Sequence, residues 1–215
     1  MRGGFPKGPC LNKNLKAASR LTCRAKQRHD GIIGLNNIQI ATSSARHPAS
    51  MDRFSTDNLT AERLNESHLA DLVALHLDPE ASRYIGGVRS AEATEKYLAV
   101  NMAHWDQYGF GLWTLRTKDG AFAGRAGIRH ILVDDVDEIE IAYAFTPSLW
   151  GRGFASETAT ELTEIGLSQL ELPSLIGIVY TANGASRRVL EKSNYLLERR
   201  TSRHGEDVVI YRARR

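Results

Sequence analysis

The stretch Ile139–Glu161, IEIAYAFTPSLWGRGFASETATE, decides the fold of this chain. It begins as an alternating strand, turns through Pro147, and enters a helix through Trp150-Gly151-Arg152-Gly153-Phe154-Ala155. Free backbone N–H groups at a helix N-terminus, with the dipole behind them, attract anions. Small residues let a ligand come close to the main chain. On these grounds alone the stretch predicts a phosphate or pyrophosphate site, its owner unspecified. Rossmann and P-loop readings are weaker, because Gly151-x-Gly153-x-x-Ser156 lacks the third glycine and no Gly-Lys-(Ser/Thr) follows.

The wording of the motif narrows the owner. It resembles the coenzyme A signature of the GNAT acetyltransferase superfamily, (Gln/Arg)-x-x-Gly-x-(Gly/Ala), with Gly153 and Ala155 at the two small positions and Trp150 in place of Gln or Arg. The run Tyr-Trp-Gly-x-Gly-(Tyr/Phe)-Ala-(Ser/Thr)-Glu is typical of the branch that acetylates N-termini of ribosomal proteins, and of its many relatives. Here Leu149 replaces the Tyr, and the rest matches through Glu157. A second motif lies downstream: Asn183-x-x-Ser186-x-x-Val189-Leu190-Glu191-Lys192-x-x-Tyr195 is similar to the family's Asn-x-x-Ser…Leu-Glu-Lys-x-Gly-(Phe/Tyr), with Asn194 for the usual Gly.

Composition bounds the rest. The chain has 215 residues, 42% hydrophobic and 25% charged, as in a globular protein. No apolar run approaches the roughly 20 residues that span a bilayer. Nine Lys/Arg and one acid, Asp30, fall in residues 1–50, so the basicity sits in that segment and residues 51–215 are net negative. A nucleic-acid reading of the domain is therefore disfavoured. Cys10 and Cys23 are the only cysteines, so residues 51–215 hold no disulfide, thiolate metal site or cysteine nucleophile. That suits a reducing compartment, and the expected location is the cytoplasm. Three readings of residues 1–50 compete: a disordered basic arm, an organellar targeting peptide, or sequence upstream of a natural start at Met51.

From Asn58 the pattern is regular. A strand from Leu59 is followed by a helix capped by Asn65 and stopped at Asp78-Pro79, then by a helix from Ser90 to Gly109. Strands at Leu112–Arg116 and Phe122–Ile131 form a hairpin through Lys118-Asp119-Gly120, and an acidic turn leads into the opening stretch. Beyond Pro173 come a strand at Leu175–Tyr180, a helix capped by Asn183 and ended at Asn194, and a closing hairpin around His204-Gly205. The order βααβββαβαββ is that of the GNAT fold: an α+β architecture, largely antiparallel, split in a V between the fourth and fifth strands and flanked by four helices. The resemblance covers residues 58–213.

Acetyl transfer from a thioester to an amine needs a neutral amine, close orientation, donors for the oxyanion of a tetrahedral intermediate, and a proton for the leaving thiolate. Glu140 shares a strand face with Ala142 and Ala144, which leave room for a ligand. It is the candidate base by this reading, and relatives carry an acid there; a salt-bridged or solvated strand residue is the competing reading. The resemblance implies acetyl-coenzyme A contacts at Phe145, Trp150, Gly151, Arg152, Gly153, Phe154, Ala155 and Ser156. It extends them to Asn183, Ser186 and Lys192, with Ser186 a candidate donor to the thiolate. Asn183 is equally readable as a helix cap, and Ser186 as a helical serine bonded to a carbonyl. Tyr84 and Trp105, with Glu140, are the candidate acceptor contacts. The seven histidines show no metal-ligand spacing beyond His68 and His76, and no metal is expected. The resulting expectation is an acetyl-coenzyme A-dependent N-acetyltransferase for a primary amine, either a peptide N-terminus or a small molecule. A homodimer is common among relatives. The alternative is a coenzyme A-binding sensor or partner-binding module without efficient transfer.

Overall fold

The computed structural model of the protein describes residues 51–203 and 205–215. The readings placed on residues 1–50 and on His204 lie outside the described residues. In chain order the strands and helices are β1 (Arg53–Ser55), β2 (Leu59–Arg63), α1 (Leu69–Leu77), α2 (Pro79–Ser82), α3 (Ala91–Tyr108), β3 (Leu112–Thr117) and β4 (Phe122–Val133). They continue as β5 (Val136–Phe145), α4 (Phe154–Glu164), β6 (Ser174–Tyr180), α5 (Gly184–Lys192), β7 (Leu196–Arg203) and β8 (Glu206–Arg214). Two elements go beyond the sequence-based expectation: the short edge strand β1 and the single-turn helix α2.

Local chemistry sets the boundaries. Asn65 closes a capping box: its side chain accepts from the Ser67 N–H at 2.9 Å, while His68 Nδ1 accepts from the Asn65 N–H at 3.1 Å. Ser90 Oγ accepts from the Ala93 N–H at 3.1 Å to start α3, and Gly109 ends it in the left-handed region at φ 73°. Asn194 takes φ 64° after α5, the conformation expected of the residue standing where relatives keep glycine.

The described strands form one sheet, ordered β1-β2-β3-β4-β5-β6-β8-β7. All neighbours run antiparallel except β5 and β6. Strands β4 and β5 pair continuously from Gly124 to Val133, whereas β5 and β6 meet only at Glu140↔Ile176. Beyond that bridge the two strands part, and the sheet opens as a V. Its closed end is clamped by Arg212 of β8, which pairs with Ile176 in register and forks onto Glu138 of β5 at 2.7 and 2.9 Å. Hydrophobic clusters hold helices to the sheet. Ala159, Leu162 and Ile165 join Ala126, Ile128 and Ile141, and Leu72 of α1 and Leu98 of α3 join Leu112. Described residues include no helix long and apolar enough to cross a membrane.

Candidate active site

The open end of the V leads into a cavity of ≈ 680 Å³, walled by Ala142–Phe145 of β5, Gly177–Tyr180 of β6, the turn into α4, and α5. This volume is in the range of small-molecule and cofactor sites.

At one end lies the turn singled out from the sequence. Gly151 and Gly153 have φ +76° and +85°, a region L side chains rarely adopt, and a Cβ added at either would meet nothing within 4 Å. No side chain caps α4, and its first intrahelical bond runs from the Glu157 N–H to Gly153 O at 3.1 Å. The N–H groups of Phe154, Ala155 and Ser156 precede that bond, on residues of the cavity wall. An uncapped helix end beside open glycines fits a diphosphate, which would accept from these N–H groups. The turn is pinned from outside. Trp150 Nε1 donates to Phe145 O at 2.9 Å, and the Glu157 carboxylate accepts from the Asn58 main chain at 2.8 Å and side chain at 2.9 Å. Arg152 is exposed and off the wall, its guanidinium 4.9 Å from the Phe154 ring centre.

Asn183, Ser186 and Lys192 all reach the same cavity. Asn183 Oδ1 also caps α5, accepting from the Ser186 N–H at 3.1 Å. Ser186 Oγ lies 2.8 Å from the Tyr143 phenol oxygen. Burial pushes that phenol up to about 12, the Ser186 hydrogen bond opposing the shift. Tyr143 therefore keeps its proton across the neutral range.

Glu140 sits on the wall where the V begins, 7% exposed. Arg129, its register partner on β4, donates through Nε at 3.1 Å and Nη2 at 3.0 Å, both to Oε2. Burial disfavours the Arg129 charge, but the Glu140 carboxylate, with Tyr97 adding, holds the guanidinium above its usual range. The two sequence readings of Glu140, cavity carboxylate and ion-pair member, thus describe one residue. Arg125, two positions along the same strand face and opposite Ala144, is also on the wall.

Tyr84 lines the cavity, its ring centre 5.9 Å from that of Tyr180. Trp105 does not. It is 3% exposed, its Nε1 donates to Leu112 O at 2.7 Å, and its ring meets Trp113 edge-on at 4.9 Å. With its polar edge satisfied in the core, it is placed away from any acceptor. Sequence reasoning did not single out Arg125, Arg129 or Tyr143. The signal was present as Arg125-x-Gly127-x-Arg129, but the strand register was needed to set those arginines beside Glu140. His68 and His76 each have a hydrogen-bonding role within the fold, and no metal-ligand cluster occurs among the described residues.

A sheet splayed from a single parallel bridge, with an uncapped glycine-led helix at its mouth, is the architecture of a coenzyme A-dependent acyltransferase. The family model for the acetyltransferase (GNAT) domain matches residues 58–195, and the chain belongs to that family. It is an acetyltransferase, and its family uses acetyl-coenzyme A. Among curated relatives, the uncharacterized N-acetyltransferase YoaA of Bacillus subtilis is 29% identical over 149 residues, covering 67% of this chain and 83% of YoaA. Of solved structures, an acetyltransferase from Agrobacterium tumefaciens superposes with TM-score 0.68 at 24% identity, covering 78% of this chain and 96% of that one. RimL, the ribosomal L7/L12 α-N-protein acetyltransferase solved with coenzyme A, superposes at 0.63 and 21%, covering 74% and 95%. At these identities the structural likeness speaks for the fold.

Proposed function

We propose that the protein transfers acetyl from acetyl-coenzyme A to a primary amine by direct attack of that amine on the thioester. The observation that carries this reading is the uncapped N-terminus of α4 opening onto the same cavity as Glu140. The N–H groups of Phe154–Ser156 hold the coenzyme's diphosphate, Asn183 and Lys192 take its more distant polar groups, and the V admits the thioester arm. Bound there, acetyl-coenzyme A supplies the activated acyl group. Glu140, oriented by Arg129, accepts the amine proton, directly or through water. The Tyr143–Ser186 pair provides a proton for the departing thiolate. Residues 51–215 hold no cysteine to carry an acyl group, which supports direct transfer. RimL, a ribosomal L7/L12 α-N-protein acetyltransferase, acts on a protein α-amine, which supports an amine acceptor here.

The test is release of free coenzyme A thiol by the full chain across a panel of primary amines and short peptides. Amine-dependent release is expected. Tight acetyl-coenzyme A binding without release from any amine would favour the sensor alternative instead.

A further inference from the structure

The acceptor end of the cavity carries more positive charge than its own carboxylates match. Arg129 is answered by Glu140. Arg125 is 3% exposed, and its Nε and Nη1 have no hydrogen-bond partner. Its guanidinium lies 5.6 Å from the centre of the Tyr97 ring. Arg89 approaches that ring at 5.4 Å; its Nη2 donates to Ile85 O, while Nη1 is buried and unpartnered. The Tyr97 hydroxyl is buried without a partner too. Glu80 stands on the same wall but is exposed. Burial holds the Arg125 guanidinium below its ordinary pKa range; Tyr97 and Glu140 oppose this, and the neighbouring Arg129 and Arg89 add to it.

Leaving a buried guanidinium unpaired is strongly unfavourable. A ring face recovers only part of that. Buried polar groups in folded proteins are nearly always matched, so donors left free on a cavity wall point to an acceptor supplied from outside. Arg125, Arg89 and Tyr97 all line this cavity.

We infer that the acceptor is an anionic amine: a small molecule with a carboxylate or phosphonate-type group that accepts from Arg125, Arg89 and the Tyr97 hydroxyl. This rests on the acetyl-transfer reading above and names its substrate class. Register sets the geometry. Arg125 faces Ala144 and Arg129 faces Glu140, four residues apart, or about 13 Å along the sheet before the side chains reach inward. An acceptor bridging them presents its amine at Glu140 and its anion at Arg125. Cationic acceptors such as polyamines are repelled by the same guanidinia.

The test uses the full chain and matched primary amines: α- and ω-amino acids, their carboxamides, and aminoalkyl phosphonates. Thiol release gives kcat/KM, and the shift in Tm with coenzyme A present reads binding without turnover. Anionic members should exceed their neutral carboxamides by roughly 10- to 100-fold, the worth of a charged hydrogen bond. Arg125→Met should bring that ratio toward one, and Arg89→Met, nearer the surface, provides a second variant should the first fail to fold. Preference for carboxylates over phosphonates, or the reverse, identifies the anion. Acetyl-coenzyme A bound normally, with neutral amines preferred or equal, would overturn the inference. So would persistence of the ratio in both variants, or no stabilisation and no turnover with any anionic amine. Failure to bind acetyl-coenzyme A would instead overturn the transfer reading beneath it.

Discussion

At Glu140 two demands meet on one carboxylate: it lines the cavity, and Arg129 occupies its Oε2 through two hydrogen bonds. Glu140→Gln keeps the shape and removes the base, so kcat/KM for acetyl transfer should fall about 100-fold, as for loss of a general base. Acetyl-coenzyme A affinity should stay within a few fold, and an unchanged kcat/KM would remove Glu140 from the reaction. Tyr143→Phe deletes the proton held 2.8 Å from Ser186 Oγ, and should lower kcat about tenfold. With the phenol pushed up to about 12, the wild-type rate should show no Tyr143 titration below about pH 10. Legibility at this scale was uneven. Glu140 and the glycine turn stood out by spacing and neighbours, whereas Asn183 and Ser186 were candidates through the resemblance of their motif. Arg125 was not, because an arginine on a strand reads as solvated until register places it opposite Ala144. Trp105 looked like a pocket aromatic because nothing in sequence reveals that its indole N–H finds Leu112 O.

At the scale of elements, the V depends on one bridge and one clamp. Arg212 forks onto Glu138 from β8 and also reaches Glu198 of β7, tying three strands at the closed end. Its side chain is 10% exposed, and the paired carboxylates raise its pKa. Arg212→Met should destabilise the fold by about 3 kcal/mol, as when one partner of a buried ion pair is removed. Urea unfolding measures this, and a loss within error would mean the clamp is idle. The strand and helix pattern from Leu59 onward was legible because periodicity, caps and turn residues agreed at each boundary. β1 was not, since Arg53–Ser55 is too short to show a period and is recruited by pairing with Thr60–Glu62. The split itself was expected from resemblance alone. Its cause, a parallel pair that meets only at Glu140↔Ile176, is a fact of register that no local pattern encodes.

For the whole molecule, buried histidines couple stability to pH. His76 is fully buried; burial first, then Arg125 and Arg89, push it down to about 4, and burial also lowers His68 and His104. The unfolded chain takes up a proton near pH 6.5 while folded His76 does not, so stability is full above that pH and falls below it. His76 alone should remove about 1.4 kcal/mol per pH unit between about 6.5 and 4. Urea midpoints at pH 7.5, 6.5 and 5.5 should therefore be flat across the first interval and drop across the second. An unchanged midpoint down to pH 5.5 would contradict a neutral buried His76. Binding of the coenzyme A diphosphate by the N-terminus of α4 is measured by calorimetric titration of the full chain with acetyl-coenzyme A, beside Gly153→Glu. That substitution places a carboxylate where the anion should sit. Saturable one-site binding by the wild type is expected, lost in a variant that retains its fold by circular dichroism. Absence of wild-type binding, or undiminished binding by a folded Gly153→Glu variant, would contradict it.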